Sequence, residues 1–315
     1  MSTRELVVLG TASAVPTKER NHNGYLLRWD GASLLFDPGE GTQRQMVKAG
    51  VSAHEVDWIC LTHFHGDHCL GVPGVLGAIA RRGGVRQVEV VFPADGSGYW
   101  EHLRRPAATT NVPVVREHLL SGEHVMLDTY GAPFRLSARR LSHSVESYGY
   151  RLEEPDSFTL LPDALAAHGV QGPLAGRLRE EGRVVAPDGG TVTLAECAVP
   201  RRGQKVAFIM DTRPCDAVDE LADGVDLLII EATYLNEQAD LAWEYGHLTA
   251  GQAGQTAARA GARRLVMTHF SERYRTADEP RFLLQAAYGG DVVLAHDLIR
   301  VPVPPRQRAH LASAR

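Results

Sequence analysis

The chain has 315 residues, 44% apolar and 23% charged, with 33 Lys and Arg against 38 Asp and Glu for a formal net charge of −5. That balance excludes a disordered or fibrous chain and allows one large core, and the apolar run in "MSTRELVVLG" is too short for a signal peptide or a membrane span. The four cysteines, Cys60, Cys69, Cys197 and Cys215, form no C-x-x-C pair, which fits buried reduced thiols and a cytoplasmic protein better than a disulfide framework.

In chain order, "ELVVLG", "SLLFDPG", "DWICLTH", "EVVFPAD", "KVAFIMD", "DLLIIEATY", "RRLVMTH" and "DVVLAHD" are short β-branched and leucine-rich runs that end in polar residues. They are predicted to be strands of a buried sheet. Between them, "TQRQMVKAG" is predicted to be a helix with Thr42 as N-cap and Gly50 at its stop, and a second helix is predicted from Thr249 through the alanine-rich "TAGQAGQTAARAGA". The fold class is α/β, one domain over residues 1–315. One region breaks the rhythm. From about Glu153 to Gly203 come Pro155, Pro162, Pro173, Pro187 and Pro200 among six glycines, which reads as an inserted arm rather than a sheet layer.

The densest chemistry lies in "LTHFHGDHCLG", residues 61–71. It leaves the predicted strand "DWICLT" at its carboxyl end, where α/β sheets place their ligand sites. His63 and His65 face one side of an extended segment, and Gly66 lets the backbone turn so that Asp67 and His68 face a neighbouring point. That makes two incomplete half-sites. Two adjacent half-sites need a bridging anion as well as further ligands, and the candidates are Asp211 after "KVAFIM", His269 after "RRLVMT" and His143 in "RLSHSVESYGYRL".

The pattern H-x-H-x-D-H with a distant His, Asp and His resembles the metallo-β-lactamase superfamily, an αββα sandwich. "PTKERN", "DPGEGTQRQM", "THFHGDHCLGVPG", "HSVESYGYRL", "GVQGPLAGRL", "MDTRPC", "EATY", "GHLT" and "THFSERY", in that order from Pro16 to Tyr274, are together similar to the ribonuclease Z family of tRNA 3′-processing endonucleases. The resemblance implies two zinc ions, although the ligands also suit manganese or another divalent ion. His63, His65 and His143 would hold one ion, Asp67, His68 and His269 the other, and Asp211 would bridge them. It also implies removal of the 3′ trailer from precursor tRNA by an activated water, leaving a tRNA 3′-hydroxyl and a trailer 5′-phosphate. Asp67 is then the general base, and His247, oriented by Glu231, protonates the leaving 3′-oxygen. Two positions depart from the family's usual His-Glu-Ala-Thr and His-Ser-Thr: Ile230 and Leu248 stand there, and their chemistry points to apolar packing.

For RNA, the resemblance implies that Lys18 and Arg20 in "PTKERN" and Arg273 beside His269 meet phosphates. It further implies an arm for the tRNA elbow, with Gly172 and Pro173 at its tip, Arg177 and Arg179 as cations, and a homodimer in which one subunit clasps while the other cuts. Two other classes are a small-molecule hydrolase of the same fold, which needs neither the arm nor "PTKERN", and a non-catalytic RNA-binding protein, which needs no bridging aspartate.

Overall fold

The computed structural model describes residues 4–81, 87–108 and 113–307. In chain order the strands are β1 (Arg4–Gly10), β2 (Gly24–Trp29), β3 (Ala32–Phe36), β4 (Trp58–Cys60), β5 (Gln87–Pro93), β6 (Val114–Leu120), β7 (His124–Leu127), β8 (Arg135–Arg140), β9 (Tyr148–Glu153), β10 (Ser157–Leu160), β11 (Arg183–Val185), β12 (Thr191–Thr193), β13 (Ala198–Arg201), β14 (Lys205–Ile209), β15 (Leu227–Glu231), β16 (Arg264–Thr268), β17 (Asp291–Leu294) and β18 (Arg300–Pro302). The chain divides into two compact units, one of residues 1–153 with 205–304, the other of 154–204 with the residues from 305 on.

In the larger unit, one seven-stranded sheet has the order β18-β1-β2-β3-β4-β5-β6 and another the order β17-β16-β15-β14-β9-β8-β7. Each is mixed: β3 to β6 and β14 to β17 are parallel, the remaining pairs antiparallel. The near-continuous hydrophobicity of "ELVVLG" follows from having both faces covered. Leu6 and Val8 point into a layer between the sheets with Tyr25, Phe36, Phe208 and Ile229. Val7 and Leu9 point the other way, against Met46 and the helix Val72–Arg81. The second sheet is backed in the same manner by the helices Asp216–Ala222, Ala250–Ala260 and Glu279–Ala286. The order of layers is therefore helix, sheet, sheet, helix, the expected αββα sandwich.

Two helix expectations meet their detail here. Thr249 caps Ala250–Ala260 through a capping box with Gln252. Thr42 is instead the first helical residue, with Gly41 at the cap in a left-handed conformation, because the Thr42 hydroxyl turns back to donate to Gly39 O at 2.8 Å.

Residues 154–204, the region that the prolines and glycines mark as an insertion, have regular structure of their own. They form the two-stranded sheets β10-β13 and β11-β12, with helices Pro162–Ala167 and Pro173–Glu181. Val170, Leu178, Val184, Ala186, Val192 and Cys197 make a small core of their own. Proline opens both helices, where its missing N–H costs nothing, and Gly182 ends the second in the left-handed region. The segment leaves from β9 and re-enters at β14, which are antiparallel partners with Glu153 opposite Lys205. It is an elaborated hairpin loop.

Candidate metal centre

Polar residues that follow strands converge at one point. Asp37 follows β3, His63 lies three residues past β4, Asp211 two past β14, Glu231 ends β15 and His269 follows β16. Because β9 is antiparallel to β14, the β8–β9 turn arrives at the same end and delivers His143. Asp37, Asp211 and His269 all have positive φ, at 43°, 44° and 61°. A left-handed non-glycine residue costs about 1–2 kcal/mol, and here the turn aims each side chain inward. Two glycines allow the loops to meet: a Cβ on Gly39 would lie 2.1 Å from Asp67 O, and one on Gly71 would lie 2.0 Å from Gly39 O.

The donor atoms of His63, His65, His143 and Asp211 lie within 4.8 Å of one another, as do those of Asp67, His68 and His269. His63 Nε2 is 2.9 Å from His65 Nδ1, His143 Nε2 is 3.3 Å from that same atom, and His269 Nε2 is 3.3 Å from His68 Nε2. Imidazole nitrogens that face each other at such distances repel through their lone pairs unless a proton or a cation lies between. Asp211 Oδ1 is buried without a hydrogen bond of acceptable geometry, although His269 Nε2 is 3.0 Å away. Asp37, Asp67, Asp211 and Glu231 are all buried carboxylates, the combined charge that two divalent ions offset. The residues fit a pair of such ions.

Four of the inward nitrogens are aimed by a bond on the far side of the ring. His68 Nδ1 lies 2.8 Å from Asp37 Oδ2, His63 Nδ1 2.9 Å from Thr62 Oγ1, and His269 Nδ1 2.8 Å from Thr233 Oγ1. His143 Nδ1 donates to Gly246 O at 2.9 Å. Gly246 has φ 78°, and a Cβ there would press on His143 Nδ1 at 2.6 Å. Burial first, then neighbouring imidazoles, holds His63 well below the ordinary histidine range, and burial likewise lowers His65 and His143, so all three are neutral. For His68, burial acts downward but the carboxylates of Asp67, Asp211 and Asp37 outweigh it and raise it.

His247 stands between the helices Ala239–Tyr245 and Ala250–Ala260. Its Nδ1 is 3.1 Å from Glu231 Oε2, and Glu231 also accepts from Thr212 N at 2.7 Å and Thr233 Oγ1 at 2.5 Å. Burial would lower its pKa, yet the charges of Glu231 and Asp211 push it up to about 9. Divalent ions bound in the neighbouring cluster would act in the opposite direction. A donor atom of His247 also comes within 4.8 Å of those of Asp211 and His269, a proximity that its sequence position gives no hint of.

The remaining predicted residues scatter. Arg273 is exposed and lines a cleft of about 570 Å³ with His247, Tyr234 and Tyr245, its guanidinium 5.3 Å from the Tyr234 ring. Lys18 is exposed. Arg20 is not the free cation that the sequence leads one to expect: it is buried, paired with Glu279 at 3.2 Å, bonded to Thr11 Oγ1 at 3.0 Å and stacked 4.6 Å above Phe270. It braces the strand end that carries His269. In the inserted unit, Gly172, Pro173, Arg177 and Arg179 are exposed, with Arg177 paired to Glu181 at 2.8 Å. Ile230 and Leu248 are fully buried in the apolar core behind the second sheet, and Cys69 packs behind the first. Sequence reasoning missed Asp37, Thr62 and Thr233 as supports. Asp37 alone carried a signal, as the polar end of "SLLFDPG".

Such a set of imidazoles and carboxylates at the edge of an αββα sandwich defines a metal-dependent hydrolase, and residues 17–269 match the family model of the metallo-β-lactamase superfamily. A protein named ribonuclease Z from Thermobifida fusca is 54% identical over 309 residues, covering 98% of this chain and 97% of its own. Another from Nocardia farcinica is 54% identical over 307 residues, covering 98% and 100%. Among solved structures, the short form of human tRNase Z matches with a TM-score of 0.67 at 26% identity, over 96% of this chain and 100% of that one. The chain belongs to the ribonuclease Z family of endoribonucleases.

Asp37 accepts from Thr62 N and Thr62 Oγ1 as well as from His68, each at 2.8 Å. Asp37→Asn keeps the shape and tolerates the left-handed backbone but loses the charge that orients His68. Affinity for divalent ions should fall about 10–100-fold, read by competition with a chromogenic chelator. Unchanged affinity would mean that His68 needs no orienting charge.

Proposed function

We propose that this chain is a zinc-dependent endoribonuclease that removes the 3′ trailer from precursor tRNA. What carries the reading is the convergence of seven ligand-type side chains, from four connections at the strand ends, on one largely buried point, in a chain of the ribonuclease Z family. His63, His65 and His143 would hold one ion and Asp67, His68 and His269 the other, with Asp211 placed to serve both. Bound there, the ions would supply Lewis-acid stabilisation of the phosphoryl oxygens and ease the ionisation of an attacking water. Asp67 is placed to accept a proton from the water that attacks phosphorus. His247, held by Glu231, gives a proton to the departing ribose 3′-oxygen as the P–O3′ bond breaks. The tRNA keeps a 3′-hydroxyl and the trailer keeps the phosphate on its 5′ end.

Arg273 at the rim of the cleft and Lys18 on its exposed loop bind flanking phosphates. Arg177 and Arg179 in the inserted unit, with Gly172 and Pro173 at the start of its second helix, take the tRNA elbow, the chain acting as a cytoplasmic homodimer. Among the described residues no helix is long and apolar enough to cross a membrane.

The direct test is a labelled precursor tRNA with a 3′ trailer. A single cut after the discriminator base, lost on chelation and restored by zinc, is expected; random or absent cutting rejects the assignment. His247→Ala separates the proton donor from the ligands. It should retain its metal and lose about 10²–10⁴-fold in rate on precursor tRNA, a general-acid contribution. A nitrophenyl phosphodiester, whose leaving group departs without a proton, should lose far less. Loss of metal, or equal loss on both substrates, makes His247 a ligand or a structural residue.

The hairpin geometry offers a clean excision. Glu153 and Lys205 face each other across β9 and β14, so residues 154–204 can be replaced by a two-residue Asn-Gly turn. Cleavage of precursor tRNA should drop by about 10²-fold or more in kcat/KM, as when one arm of a two-point contact is removed. Hydrolysis of the nitrophenyl diester should change only a few-fold. Full activity on tRNA would remove the insertion from substrate binding.

A further inference from the structure

Beside the metal centre, sharing His65 with the main cleft, lies a second hollow of about 370 Å³ lined by Phe64, His65, Pro93, Gly96, Tyr99 and Val145, with Asp95 and Glu146 at it as well. Nothing in the chemistry above uses it. Its walls are unusual for a surface: Tyr99 is 65% exposed and Val145 43% exposed. Phe64 sits between two metal-ligand candidates in "HFH". Its ring packs edge-on against Phe92 at 5.9 Å and lies 5.9 Å from the Tyr99 ring at an interplanar angle of 31°. The hollow is also built rather than incidental, since a Cβ on Gly96 would fall 1.9 Å from the Phe64 ring. Glu146 is fixed by accepting from Asp95 N at 3.2 Å and Tyr148 Oη at 3.2 Å.

We infer that this hollow is a stacking subsite for the nucleobase of the first trailer nucleotide, the one whose 5′-phosphate is cut. The inference rests on the endoribonuclease reading above. Two carboxylates beside an aromatic wall repel a phosphate and accept a flat, uncharged ring, so the hollow suits a base and not the backbone. Position selects which base. His247, the proton donor to the tRNA-side 3′-oxygen, neighbours His143, His269 and Tyr234, and of these none lines the hollow. The tRNA-side ribose therefore lies at His247, and the nucleoside attached through the 5′-oxygen is the one directed past His65 towards Phe64 and Tyr99.

The test compares precursors that carry a normal base or an abasic residue at the first trailer position, on the full-length metal-loaded enzyme and on Tyr99→Ala. Base stacking on an aromatic side chain is worth about 1–3 kcal/mol, which corresponds to roughly 5–150-fold. Wild type should cut the base-bearing precursor with kcat/KM higher than the abasic one by a factor in that range, and in Tyr99→Ala the ratio should collapse towards one. Metal content and the thermal melt of the variant report its folding independently. A ratio near one in wild type, or one that persists in Tyr99→Ala, overturns the subsite. So does a variant that becomes indifferent to an abasic discriminator instead. If wild type cuts no precursor at all, the failure belongs to the endoribonuclease reading and not to the subsite.

Discussion

Six imidazoles and four carboxylates share one largely buried pocket, and that charge must be neutralised for the fold to hold it. The surrounding structure is arranged around this constraint. Three residues of the site or its support, Asp37, Asp211 and His269, take left-handed backbones that an ordinary loop avoids. The cost, about 1–2 kcal/mol each, is small against the three apolar layers of the sandwich that fix the strand ends.

Hydrogen bonding distributes the same constraint. Thr233 has one hydroxyl proton and three neighbours, Glu231 Oε2 at 2.5 Å, His269 Nδ1 at 2.8 Å and, at the outer limit of a hydrogen bond, His247 Nδ1 at 3.5 Å. The consistent arrangement is His269 Nδ1–H donating to Thr233 and Thr233 donating to Glu231. One buried carboxylate therefore orients both a candidate ligand, His269, and the candidate acid, His247. Their ring centroids are 5.4 Å apart. Separate roles for two imidazoles that close depend on which way each ring nitrogen points, and Glu231 sets both.

The acidic balance of the chain does not count against an RNA substrate, because recognition depends on local fields rather than on net charge. Much of the arginine is engaged internally: Arg20 with Glu279, Arg28 with Glu5 and Glu55, Arg263 with Asp226. Arg273 at the cleft is exposed, and so are Arg179 and Arg183 in the inserted unit. An acidic protein with a few well-placed cations suits a substrate that must leave after it is cut.

The strand ends and the residue types at them are legible in the amino-acid sequence. Runs such as "KVAFIMD" and "RRLVMTH" declare a buried strand by composition and a functional terminus by their last residue, because a polar side chain at the end of an apolar strand must emerge at the edge of the sheet. Those signals are local. Distances between segments far apart in the chain come from the packing instead: Arg20 is buried against residues about 260 positions away, Thr233 joins two histidines, and His247 comes within ligand range of Asp211. The inserted unit shows the same divide from the other direction. Its prolines and glycines read as breakers, and only packing reveals that they start and stop short elements around a core of six small and medium apolar residues. A pattern read along one chain fixes which way a side chain points from its own strand; which partner it meets depends on how the two sheets stack, and no local signal encodes that.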